Sequence, residues 1–363
     1  MRVLIAPDSF KGSSSATEVA ATIARGWSNE RPDDDLTLLP LGDGGEGTLD
    51  AVATAIPDAR RHSVLGVTGP GGGRVDAEYL ELPDKTSVIE LASSSGLPLL
   101  PHLAPLEATT RGLGEVIAAA LDAGAERLVI TLGGSASTDG GLGALRALGL
   151  EALDGDGEPV ADGGIGLARI ARFDTRQLRP PPPRGVEALT DVSNPLLGPR
   201  GAAAVFGPQK GASPIEVAQL DAALTHLASQ AGGDPEAAGA GAAGGTAYGL
   251  ATFWSASLQL GSEAIGRLIG LPTKLAKADL VITGEGTFDM TSLSGKAAGY
   301  AVSLARSANI PIVVIAGSVD PETRHTNLDS ISLSELASSR EASMAEPKRW
   351  LEEAGAKLAR RYL

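Results

Sequence analysis

The sequence predicts an α/β fold in two domains. One domain is built on a parallel sheet to which both chain ends contribute, the other is a mixed α/β domain inserted between them, and a cleft lies between the two. Three observations carry this expectation. The 363 residues exceed what one hydrophobic core ordinarily organises. Short apolar runs without alternation are each followed by a glycine-rich loop and then a helical pattern, as in parallel strands buried on both faces. One stretch of the middle alternates apolar and polar residues instead, as antiparallel strands do.

The first apolar run, Arg2 to Ala6, is closed by Pro7 and Asp8 and is shorter than the apolar segment of a secretion signal, so it reads as a buried strand. Ser15-Ala-Thr-Glu18 has the form of a capping box, opening a helix with Val19, Ile23 and Trp27 on one face. Leu36 to Leu41 leads into GDGGEG, with Asp43 and Glu46, and Leu49, Val52 and Ile56 follow at helical spacing. From about His62 to Leu91, short alternating pieces around VTGPGGG, with Val75, Ala77, Tyr79 and Leu82, predict an antiparallel meander. Leu128 to Leu132 leads into GGSASTDGG. RPPPPR (179–184) reads as a rigid surface connection, and Ala231 to Gly249, rich in glycine and alanine, as a flexible linker. Leu258 to Ile269 reads as a helix returning to the strand Leu280 to Thr283, and Ile312 to Ala316 as a late strand. These assignments place residues 1–61 and 266–363 in the parallel-sheet domain and residues 62–265 in the insertion.

Composition narrows the function. Hydrophobic residues at 43% and charged residues at 20% argue against disorder, and no run approaches the ~18 apolar residues of a membrane span. A soluble protein without a membrane partner is expected. With 44 acidic against 30 basic residues the net charge is -14, which repels nucleic acid and leaves no basic stripe for it. A small anion is still compatible, because a few lysines and backbone N–H groups reverse the sign inside one site. Cysteine is absent, which excludes disulfides, thiolate-bound zinc and cysteine nucleophiles and suits a reducing cytoplasm, the expected compartment.

The stretch VITGEGTFDMTSLSGK (281–296) ends an apolar strand in glycines, carboxylates and a lysine. It is no P-loop, since Lys296 is followed by Ala297 and the glycines have the wrong spacing. The four histidines show no metal spacing, G-x-S-x-G fails at Ser137, and neither a dinucleotide fingerprint nor a protein-kinase pair appears. The loops carry other groups. Asp8, Ser9 and Lys11 follow the first strand. Ser135, Ser137, Thr138 and Asp139 sit among Gly133, Gly134, Gly140 and Gly141, where successive N–H groups make an anion nest. Thr190-Asp-Val-Ser-Asn-Pro-Leu196 presents Asp191 and Asn194, as backbone caps or as a metal ligand or proton acceptor, and Val205 to Gly211 brings Lys210. A cation bridge, donors around phosphates and a carboxylate for the acceptor hydroxyl are the parts phosphoryl transfer needs, and this inventory fits a small-molecule kinase.

At this point the sequence resembles the bacterial two-domain glycerate kinase family. The resemblance runs through APDSFKGSSSA (6–16), GDGGEGT (42–48), VTGPGG (67–72), ELASSSGL (90–97), TTRGLGEVI (109–117), GGSASTDGG (133–141), TDVSNPL (190–196), VFGPQKGA (205–212), GAGAAGG (239–245), TGEGTFD and SGK. It implies a Rossmann-like domain from both chain ends, an inserted mixed α/β domain, and ATP- and Mg2+-dependent phosphorylation of D-glycerate to 2-phosphoglycerate. ATP is then expected against Gly133, Gly134, Ser135, Ser137, Thr138, Gly284, Gly286 and Lys296, with Glu285 or Asp289 holding Mg2+. Asp8, Ser9, Lys11, Ser94, Ser95 and Asn194 are expected around glycerate, Asp191 on the attacking oxygen, and Lys210 on the developing phosphate charge. The chain departs from the family pattern at Thr287, Arg111, Leu113 and Thr138, and at Met290-Thr291-Ser292. Thr287 replaces a planar guanidinium with a hydroxyl, which bears on substrate range. The alternative readings are a kinase of another small hydroxy acid or polyol, and a ligand sensor without catalysis.

Overall fold

A computed structural model describes residues 1–45, 47–326 and 328–362. In chain order the first strands are β1 (Arg2–Pro7), β2 (Asp35–Leu38), β3 (Arg60–Thr68), β4 (Arg74–Glu81), β5 (Thr86–Glu90) and β6 (Arg127–Thr131). They are followed by β7 (Glu151–Leu153), β8 (Arg172–Asp174), β9 (Val186–Thr190) and β10 (Ser257–Leu260). The last are β11 (Leu280–Gly284), β12 (Thr287–Phe288), β13 (Ile312–Ala316), β14 (Ser318–Val319) and β15 (Asp329–Ser332). The chain divides into two compact units: unit 1 comprises Met1–Asp43, Asp50–Pro57 and Gly261–Leu363, and unit 2 comprises Gly44–Leu49 and Asp58–Leu260.

Unit 1 carries a five-stranded sheet in the order β15-β13-β11-β1-β2, parallel throughout. Its central strands β1, β11 and β13 are apolar on both faces because both are covered. Val3, Ile5, Ile282 and Ile315 pack against Ile23 and Trp27 of the helix Ala16–Glu30 and Leu351 and Leu358 of the helix Pro347–Ala359. On the other face Val314 and Ala316 meet Ala298 and Val302 of the helix Ala297–Ser307. The capping box at Ser15 and Glu18 forms as the sequence predicts. Since β2 lies on one side of β1 and β11 on the other, the loops leaving β1 and β11 diverge at a topological switch point, where open α/β sheets hold ligands.

Unit 2 carries a six-stranded sheet in the order β10-β9-β6-β5-β4-β3. Strands β3, β4 and β5 form the expected antiparallel meander, while β5, β6, β9 and β10 are parallel. Strands β7 and β8 make a separate hairpin, and β12 and β14 a short parallel pair in unit 1. The core of unit 2 joins Ile89, Ile130 and Ala188 to the helices Arg111–Asp122, Leu142–Ala147, Pro214–Ala231 and Ala242–Trp254. Among the described residues no helix is long and apolar enough to cross a membrane.

Two expectations fail here. The stretch Ala231 to Gly249 is no linker: Ala240, Ala242, Ala247 and Tyr248 are all buried. Its small residues serve close packing, since a Cβ on Gly249 would lie 2.2 Å from the Gly140 carbonyl oxygen. Nor is Leu258 to Ile269 one helix. Ser257–Leu260 pairs with β9 as an edge strand, and the helix begins only at Gly261, because backbone pairing with an existing strand outweighs local helical preference.

The crossing of the helices Ala16–Glu30 and Pro347–Ala359 depends on Gly26 and Gly355. A Cβ on Gly26 would stand 1.9 Å from the Glu352 carbonyl oxygen, and one on Gly355 would stand 2.3 Å from that of Ile23. Gly26→Ala is therefore expected to destabilise the protein by about 1–3 kcal/mol through overpacking, read as a lower urea midpoint with unchanged slope. An unchanged midpoint would mean that the two helices separate at little cost.

Candidate active site

The carboxyl edge of the unit 1 sheet gathers acids. After β1 the chain is anchored by Phe10, which is buried, and by the Asp8 N–H donating to the Gly284 carbonyl at 2.8 Å. Asp8 is 9% exposed, and its Oδ1 accepts from the Ser9 N–H at 2.6 Å. The segment after β2 is tied to β1 by the Leu41 N–H donating to the Pro7 carbonyl at 2.8 Å, which brings Asp43 near Asp8. After β11, a Cβ on Gly284 would stand 1.8 Å from the Ile315 carbonyl oxygen, so only glycine permits this strand end. Glu285 follows, buried. Burial first, then the charges of Asp43 and Glu285, push the Asp8 carboxyl up to about 7, against the Ser9 N–H and Lys11. Burial likewise raises Glu285, with Lys296 opposing it from 3.6 Å. Glu285 Oε1 is buried with no hydrogen-bond partner among the described residues. An anionic oxygen so placed fits a cation.

Asp289 is differently placed. Its Oδ1 accepts from the Thr291 hydroxyl and, at 3.0 Å, from the Ser292 N–H, and these bonds, the hydroxyl first, hold its carboxyl below the usual range. That oxygen closes a local turn. Lys296 stands at the cap position of the helix Ala297–Ser307, and Lys11 is exposed. Glu46, part of the acidic glycine loop in the sequence, lies outside the described residues.

In unit 2 the loops after β5, β6 and β9 share one carboxyl edge. The Ala136 N–H donates to the Ser95 carbonyl at 3.0 Å and the Leu97 N–H to the Gly134 carbonyl at 2.9 Å, joining the first two. The Gly133 N–H donates to the Gly44 carbonyl at 3.3 Å, and Glu90 accepts from the Leu49 N–H at 2.9 Å, which is why Gly44–Leu49 belongs to this unit. Gly134, Gly140 and Gly141 have φ of 74°, 62° and 75°, the left-handed region that favours glycine. Asp139 is 1% exposed and accepts from the Thr110 N–H and hydroxyl, both at 2.8 Å, and from the N–H groups of Gly141 and Gly143 at 3.1 and 3.2 Å. Burial raises its pKa against those four donors.

Several expected site residues take positions the sequence did not foresee. Lys210 is 3% exposed, donates to the Ser137 carbonyl, and is drawn down to about 8 by burial, with the Asp139 charge opposing. Ser94 and Ser95 are fully buried, their hydroxyls 3.5 Å apart and Ser94 Oγ 3.4 Å from the Leu91 carbonyl oxygen. They brace the strand end. Asn194 Nδ2 donates to the Arg200 carbonyl at 2.7 Å, capping its own loop, whereas Asp191 is exposed just beyond β9. Asp43 and Asp139 were visible as acids in glycine loops; nearness to Asp8 sets the first apart, and burial with four donors the second. Arg111 pairs with Glu115 at 3.3 Å, and the Thr287 hydroxyl stands 3.3 Å from Ser318 Oγ.

Glycine-rich strand ends bearing carboxylates and lysines, on two α/β units without a P-loop, are the framework of a small-molecule kinase of a separate class. Residues 3–363 match the glycerate kinase family, and the chain belongs to it. It is 43% identical to a glycerate kinase of Haemophilus influenzae over 87% of this chain and 86% of that one. It is 40% identical to a glycerate 2-kinase of Escherichia coli over 88% and 86%. A crystal structure of a putative glycerate kinase 2 from Salmonella typhimurium superposes with a TM-score of 0.84 at 39% identity, covering 100% of this chain and 98% of that one. The protein is an enzyme, a kinase of this family.

The raised Asp8 carboxyl links stability to pH. From about pH 4 to about pH 7 the folded chain keeps a proton that the unfolded chain has lost, so the stability this group contributes is complete below about 4 and gone above about 7. Asp8→Asn, melted without ligands in the presence of a chelator, is expected to gain stability relative to wild type as pH rises from 4.5 to 8. Parallel melting curves across that range would show that Asp8 titrates like an exposed carboxylate.

Proposed function

We propose that the protein phosphorylates the 2-hydroxyl of D-glycerate with ATP and Mg2+, as a cytoplasmic enzyme. Membership of the glycerate kinase family over residues 3–363 carries this reading. The site residues supply a consistent chemistry. Lys296 is proposed to meet the nucleotide phosphates, together with the N–H groups of Gly284 and Gly286 at the end of β11 and of the loop Gly133 to Thr138. Glu285, with its unpartnered Oε1, is proposed to hold Mg2+, with Asp8 and Asp43 nearby. Asp289 contributes through its remaining oxygen. Among the described residues no three acidic or histidine side chains form a complete metal cage. Magnesium commonly takes one or two carboxylates and completes its shell with water and substrate phosphate. Bound there, the ion supplies neutralisation of phosphate charge.

On the acceptor side, exposed Asp191 is proposed to accept the proton of the attacking hydroxyl, and Ser9, Lys11 and Asn194 to hold the glycerate carboxylate and its second hydroxyl. Ser94 and Ser95, being buried, act through the backbone they brace. Lys11 and Lys296 provide the local positive charge that a small anion requires in a chain with net charge -14.

Purified protein with ATP, Mg2+ and D-glycerate is expected to yield a product that enolase consumes directly. A signal only after phosphoglycerate mutase is added would move the phosphate to the 3-hydroxyl, and no turnover of D-glycerate would direct attention to another hydroxy acid or polyol. Asp191→Asn is expected to lower kcat by about 100-fold or more with KM for glycerate changed only a few-fold, as for loss of a general base. A variant with wild-type kcat would remove Asp191 from proton transfer. Glu285→Gln should raise the Mg2+ concentration needed for half-maximal rate, and an unchanged requirement would exclude it as a ligand.

A further inference from the structure

Glutamate is rarely buried without a specific partner. Glu90 ends the buried strand β5, is 8% exposed, and accepts from the Leu49 N–H at 2.9 Å. Leu49 is the second residue of the helix Thr48–Ala55, and N–H groups in a first helical turn lack partners within the helix and favour a negative group. The bond fastens the start of that helix to a strand end 41 residues further along the chain. The residues just before the helix are held by the loop after β6. The Gly133 N–H donates to the Gly44 carbonyl at 3.3 Å, and a Cβ on Gly133 would stand 2.7 Å from Gly45 Cα, so backbone packs on backbone. The Thr48 hydroxyl donates to the Gly45 carbonyl at 2.8 Å and ties the helix start back to that glycine. Of the two holds on this stretch, the one from Glu90 is the shorter bond.

Asp43 directly precedes Gly44. On its other side the Leu39 and Leu41 N–H groups donate to the Ile5 and Pro7 carbonyls at 2.9 and 2.8 Å. The Asp43 carboxylate, near enough to Asp8 for its charge to be felt there, is thus fixed by a hold two residues before it and by another that begins one residue after it. The geometry points to Glu90 as a positioning residue: by holding the Leu49 N–H it keeps Gly44 and Gly45 in place, and through them keeps the Asp43 carboxylate beside Asp8. Glu90 acts through Leu49 and touches neither substrate nor ion. Its bearing on the reaction rests on the reading that Asp43 lies near Mg2+; the placement of Asp43 does not.

A mutant cycle in the full chain tests it, melted at pH 8 without ligands and with a chelator. Asp8→Asn and Asp43→Asn each remove the same repulsion, so together they are expected to change the melting temperature by about 2 °C or more less than the sum of their separate effects. In a Glu90→Leu background, which removes the acceptor, that shortfall is expected to vanish, and in a Glu90→Gln background, which keeps an oxygen acceptor, to return. A glutamate that only stabilises the fold would lower every melting temperature alike. A shortfall that persists in Glu90→Leu, or that is absent from the wild-type background, would overturn the inference. If Glu90→Leu does not fold, Glu90→Asp decides, since it withdraws the carboxylate by one methylene and is expected to reduce the shortfall; an unchanged shortfall there would overturn the inference equally. In turnover, Glu90→Leu is expected to raise the Mg2+ concentration for half-maximal rate about tenfold, with Glu90→Gln near wild type. A lost shortfall with an unchanged Mg2+ requirement would uphold the role of Glu90 and remove Asp43 from the metal site. The melting cycle needs no substrate, so failure to phosphorylate D-glycerate would refute the acceptor assignment alone.

Discussion

The buried carboxylate of Asp139 is the interaction on which the loop after β6 depends. It accepts four hydrogen bonds, two from Thr110 and one each from the N–H groups of Gly141 and Gly143, and it supplies the counter-charge for Lys210. Removing two charges from water is costly, and the cost is offset only when geometry and remaining hydrogen bonds are complete. Here they join the start of the helix Arg111–Asp122, the start of the helix Leu142–Ala147 and the turn before the helix Pro214–Ala231 to one loop. Loss of one partner would leave a buried charge uncompensated, so this loop is held far more firmly than its glycine content suggests.

Unit 1 uses the opposite device. Asp8, Asp43 and Glu285 are brought near one another at the ends of neighbouring parallel strands, where like charges and burial raise Asp8 and Glu285. Carboxylates crowded and buried in this way cost the folded protein stability at neutral pH. Lys296, at 3.6 Å from Glu285, answers only part of that charge.

The departures from the family pattern fall on residues with local partners. Arg111 is engaged by Glu115 one helical turn on, and Thr287 by Ser318 across the β12–β14 pair. Thr138 differs in kind, for its hydroxyl is buried and unpartnered.

Sequence alone determined the layered α/β class, the parallel strands and the meander, because apolar runs buried on both faces and alternating runs buried on one are written directly in residue order. It also located the loops at the strand ends, since glycine, carboxylate and lysine together mark a turn that does more than connect. What it could not carry was any property that depends on neighbours distant along the chain. Lys210 lies 73 residues from the carbonyl it holds. Ala231 to Gly249 has the composition of a linker, yet Gly241, Gly244 and Gly249 each leave room for another backbone that passes within van der Waals contact. Ser94 and Ser95 have polar side chains whose complete burial residue order does not announce. Only the tertiary structure decided these, because burial, and with it the sign and size of every pKa shift and the value of every hydrogen bond, is set by packing between segments whose distance in sequence says nothing of their distance in space.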